Sequence, residues 1–150
     1  MRAAYLGLAL ALGLIGFAAV EIAGRARGAL TAVTPYLWLD AAVYALAAVI
    51  LAVAFFGPFR RSRPIGTFLL VLAYVLLFAP LAGVLGAAAE LTVDGLWGVP
   101  NLVGSTFLHA PINLIYALTL DVGVVALPVG AAAAGLLAWR AKRPGRHREF

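Results

Sequence analysis

"IGTFLLVLAYVLLFAPLAGVLGAAA", Ile65 to Ala89, contains no charged side chain. It exceeds the roughly 20 apolar residues that a helix needs to cross a hydrocarbon layer of about 30 Å. Pro80 falls inside it. Such a proline would break a helix in water, whereas a membrane helix accommodates it with a kink. The rest of the chain has the same character, since 65% of its residues are hydrophobic and only 11% are charged. Those values lie far outside the range of a soluble domain, so the sequence predicts an integral membrane protein.

The 150 residues allow four or five crossings and no separate soluble domain. Three further runs qualify. Residues 3–24 follow Arg2 and resemble a signal peptide as much as an anchor; a start at Met1 favours the anchor. Residues 35–57 open on Pro35, which suits a first helical turn, and close on Gly57-Pro58. Residues 111–139 are too long to cross straight and must tilt, kink at Pro128 or begin outside the core. The expected fold is all-α, a four-transmembrane-helix bundle with an interfacial outer segment before the last helix. It forms a single polytopic domain over 1–150 that ends in a basic tail, 140–150.

Cysteine is absent, which removes disulfides, thiolate metal sites and thiol nucleophiles. The net charge of +5 does not point to nucleic acid, because the cations cluster at the ends of apolar runs. Arg60, Arg61, Arg63, Arg140, Lys142 and Arg143, with Arg2, fall on one side if the chain crosses four times, and Arg25 and Arg27 fall on the other. The positive-inside rule then places both termini in the cytoplasm of a bacterial-type inner or plasma membrane. The cations are expected to contact anionic lipid, as are those of the tail, whose removal from Arg146 onward should leave insertion intact. Tyr5 and Trp139 are expected at the inner boundary, and Tyr36, Trp38 and Trp97 at the outer one.

The acids divide unevenly. Glu21, Asp40, Glu90, Asp94 and Asp121 all fall toward the outer side, with His109, and the inner half of the bundle has no carboxylate. One reading is that acids at outer helix ends reach headgroups and water. The other is a shared polar pocket of Asp121, Asp40, Glu21, Glu90, His109 and Tyr44. Spacing supports an inward face: Asp40 is one turn from Tyr44, Glu21 continues the series Ala9, Gly13, Phe17, and Glu90 follows Gly83 and Gly86. Gly13, Gly16, Gly83, Gly86 and Gly123 are expected at close helix contacts. Asp121 is expected to be protonated or paired with Arg25, Arg27 or His109, as glue between helices. The segment 91–114 is too apolar for free solution and too rich in glycine and proline for one long helix, which suggests an interfacial cap or a re-entrant piece.

No metal-ligand spacing accompanies His109, and neither Ser62 nor Ser105 has the partners of a triad. No phosphate-binding or dinucleotide motif occurs, so no catalytic residue, metal or cofactor is assigned. Four helices with outer aspartates resemble the lipoprotein signal peptidases in topology. "PINLIYALTLD", 111–121, only loosely echoes that family's Asn-x-Ala-Asp segment, and no partner motif lies upstream. The resemblance is not extended to activity. The function expected is that of a small non-catalytic accessory subunit of a larger membrane complex, with lipid and other membrane subunits as partners. The alternatives are a proton- or cation-coupled transporter or channel that uses the acidic cluster, and an intramembrane enzyme.

Overall fold

The computed structural model describes residues 3–26, 37–96, 98, 100, 101, 103–105, 107, 108, 111, 115 and 120–143. Nearly all of them are helical, in four long elements: α1 (Ala3–Ala26), α2 (Leu37–Arg61), α3 (Pro64–Val93) and α4 (Leu120–Lys142). With 23 to 30 residues at about 1.5 Å each, the helices are about 34 to 45 Å long. All four are long and apolar enough to cross a membrane.

The helices alternate in direction. α2 and α4 touch each other, and each also packs against α1 and α3; α1 and α3 do not meet. The element pair at the centre of the bundle is therefore α2 with α4. A narrow α1–α2 contact explains one side of it. Tyr5, Ala9 and Gly13, four residues apart, form the buried face of α1, and a Cβ on Gly13 would lie 2.8 Å from the Ala45 Cα and 2.9 Å from the Ala48 Cβ. Only glycine there, opposite alanine, lets the two backbones approach so closely.

α2 does not stop at Gly57-Pro58 as expected but continues to Arg61. Pro58 removes one backbone donor, yet Phe59 just beyond it is fully buried and lies against Tyr74 and Phe55, with ring centroids at 6.4 and 5.5 Å. Packing of Phe59 outweighs the local break. Ser62 then closes the helix, its N–H donating to the Pro58 carbonyl and its hydroxyl to the Phe59 carbonyl, both at 3.0 Å. Only Ser62 and Arg63 separate α2 from α3, whose N-terminus opens on Pro64.

α3 runs through Pro80 without interruption to Val93, and Asp94 and Gly95 close it. Gly95 has φ +68°, and the Leu96 N–H reaches back to the Leu91 carbonyl at 3.0 Å, the bonding of a Schellman turn. The described residues from Pro100 to Ile115 are helical. Phe107 and Leu108 are exposed there. α4 likewise continues through Pro128.

The core has two parts. The larger lies toward the α2–α3 turn and joins Tyr5, Leu51, Phe59, Tyr74 and Leu137 to the alanines Ala9, Ala52, Ala134, Ala138 and Ala141. The smaller, Val43, Ala47 and Ala82, lies toward the opposite end. Tyr5 sits in the larger part, 2% exposed, and its hydroxyl donates to the Ala52 carbonyl at 3.2 Å. Tyr74 does the same to the Ala48 carbonyl, one turn earlier on α2. Two phenols thus clamp α1 and α3 onto α2.

Candidate functional site

The fold separates charge by end. The ends of α2 and α4 and the start of α3 bring Arg60, Arg61, Arg63, Arg140, Lys142 and Arg143 to one end, where the Lys142 ammonium donates to the Thr67 hydroxyl. The opposite end receives Glu21 and Arg25 from α1, Asp40 from the first turn of α2, and Glu90 and Asp94 from the end of α3. Asp121 stands near the start of α4, so its backbone belongs to that acidic end. The side chain of Asp121, and residues His109, Arg27, Tyr36 and Trp97, lie outside what the structure describes.

Tyr44 is the hub of the acidic end. Its ring meets Phe17 of α1 edge-on at 5.4 Å and Phe78 of α3 edge-on at 5.6 Å, so one α2 side chain holds both flanking helices. Each such pair contributes on the order of 1 kcal/mol beyond simple contact. The series Ala9, Gly13, Phe17, Glu21 does face α2, and the Tyr44 hydroxyl lies within electrostatic reach of both Asp40 and Glu21. Glu90 is exposed near the end of α3.

Glu21 is already engaged. One of its carboxylate oxygens accepts from both Nε and Nη2 of Arg25, each at 3.0 Å and one helical turn away. The acid-rich end therefore includes a compensating cation from the same helix as Glu21; the expected pairing of Asp121 lies outside the described residues. Among the described residues no three His, Asp or Glu side chains converge in a way that would hold a metal, and none of the acids or bases is buried.

Among the glycines, Gly13 makes the contact described above, and Gly83 and Gly123 are buried. A Cβ on Gly16 or Gly86 would meet nothing within 4 Å. Gly130 was not singled out in the sequence, although Val75 of α3 would lie 3.5 Å from its Cβ. Arg143 stacks over the Trp139 ring at 3.6 Å from its centroid, a cation–π pair at the basic end. Compared with known proteins, the chain matches no family model, no curated protein and no solved structure.

Proposed function

We propose that the four helices cross a membrane with the basic end cytoplasmic, and that the chain serves as a small non-catalytic subunit of a larger membrane complex. Membrane insertion is supported by the outward faces, where Leu10, Ile15, Leu46, Phe68, Leu72 and Leu136 are exposed. Soluble proteins do not present apolar surface on that scale. The exposed Phe107 and Leu108 fit a segment lying in the outer interface.

The observation that carries the subunit reading is where the glycines stand. Gly7, Gly16 and Gly86 sit within helices, and a Cβ on any of them would meet no other helix within 4 Å among the described residues. Glycine inside a helix costs about 1 kcal/mol relative to alanine in water. Contact with another helix would justify it, because small residues allow backbones to approach closely in lipid. The interior, by contrast, is filled by alanine and aromatic rings, and the Tyr5 and Tyr74 hydroxyls are spent on helix carbonyls.

Native mass spectrometry after extraction in mild detergent tests this reading. A stoichiometric, different membrane protein is the expected companion, and a chain recovered only as a monomer would contradict it. A second reading rests on Tyr44 with Asp40 and Glu21 beside it, a grouping that a proton- or cation-coupled carrier could use. A homo-oligomer whose cation uptake is lost on Asp40→Asn would favour that carrier.

A further inference from the structure

We propose that the basic end carries a discrete site for the phosphate of an anionic phospholipid, built on Lys142 and the turn from Ser62 to Thr67. The inference rests on the membrane reading above and deepens it. Lys142 and Thr67 are 75 residues apart in sequence, yet the ammonium donates to the threonine hydroxyl. An ammonium has no lone pair, so the Thr67 oxygen is the acceptor, and the same hydroxyl lies 3.0 Å from the Arg63 carbonyl. Ser62 lies 2.8 Å from the Thr67 oxygen. The lysine is thus held by one of its three donors, and two remain for an anion beside Arg61 and Arg63. A pinned side chain gives up less freedom on binding than a free one.

Charge and surface together select the ligand. Among the described residues no carboxylate stands at this end, where six Arg and Lys side chains gather, so the net field there draws an anion. Directly beyond Arg63, α3 exposes Ile65, Phe68, Leu72 and Leu76, an apolar ridge at intervals of three and four residues. A ligand with a phosphate at Lys142 and acyl chains along that ridge satisfies both surfaces. A soluble phosphate satisfies only the first.

The test uses the full chain reconstituted in vesicles. Flotation after an alkaline carbonate wash first establishes insertion; wild-type protein that fails to float would overturn the membrane reading itself. Native mass spectrometry then follows exposure to equal amounts of phosphatidylglycerol and phosphatidylcholine with identical acyl chains. Preferential retention of phosphatidylglycerol is expected, reduced roughly fivefold by Lys142→Gln, as one cation contributes about 1 kcal/mol. Thr67→Val, which keeps every charge but releases the lysine along with the hydroxyl's contacts to Ser62 and Arg63, should also lower retention, and it serves in place of Lys142→Gln should that variant not insert. Arg140→Gln should lower retention less than Lys142→Gln. Inserted wild-type protein with no preference, an unaltered Thr67→Val, or an Arg140→Gln effect equal to that of Lys142→Gln would each overturn the discrete site. Displacement of the lipid by inorganic phosphate would overturn the lipid assignment.

Discussion

The position of a Cβ on Gly13 of α1 lies 2.8 Å from the Cα of Ala45 on α2 and 2.9 Å from the Tyr44 carbonyl oxygen. The atoms in the way are backbone, which cannot rotate aside. Gly13→Ala must therefore push the two helices apart, with a cost of about 1–3 kcal/mol by comparison with other overpacked interiors. Equilibrium unfolding of the purified protein in detergent should show that loss. Gly7→Ala, where the added methyl meets no other helix within 4 Å among the described residues, should leave the stability of the isolated chain unchanged. Under the subunit reading, Gly7→Ala is expected instead to weaken recovery of the partner.

Tyr5→Phe and Tyr74→Phe remove the two hydroxyls that bond α2 at Ala52 and Ala48 while keeping the rings in place. Those carbonyls also serve the helix's own hydrogen bonds, so each change should cost only about 0.5–1.5 kcal/mol. Tyr5→Ala also removes the ring, including its edge contact with Phe56 at 4.9 Å, and should cost about 3–5 kcal/mol. Equal losses for the phenylalanine and alanine variants would show that the hydroxyl, not the ring, holds α1.

Glu21→Gln breaks the pair with Arg25. The pair is intrahelical and partly exposed, so stability should fall by no more than about 0.5 kcal/mol, and assembly should not change. A carrier that uses Glu21 would instead keep its stability and lose cation-dependent uptake in vesicles.

Much of this fold could be read from periodicity. The uncharged stretch 65–89 lies wholly within α3, and the spacing of Ala9, Gly13, Phe17 and Glu21 picks out the face of α1 that meets α2. Tyr5 extends the same series by one turn, so its burial was legible too. An isolated phenol in lipid needs an acceptor, and a helix carbonyl was not anticipated. Gly57-Pro58 read as a terminus since proline removes a donor, but the burial of Phe59 depends on Tyr74 from another helix and leaves no local trace. The same holds for Lys142 and Thr67, whose meeting is a consequence of how α3 and α4 stand beside each other. The Arg25 bridge to Glu21 was not anticipated, although the two stand one turn apart on the same helix and their spacing alone permits it.

The central claim, four membrane crossings with the basic end in the cytoplasm, is tested most directly by cysteine labelling in intact cells, for which the chain is suited because it has no cysteine of its own. Ser62→Cys reports the α2–α3 turn at the basic end, and Ser105→Cys the segment between α3 and α4 near the acidic end. The account predicts that an impermeant maleimide labels Ser105→Cys in intact cells and labels Ser62→Cys only after the membrane is opened. Labelling of Ser62→Cys in intact cells, with Ser105→Cys protected, would contradict the orientation; labelling of both would contradict the four crossings.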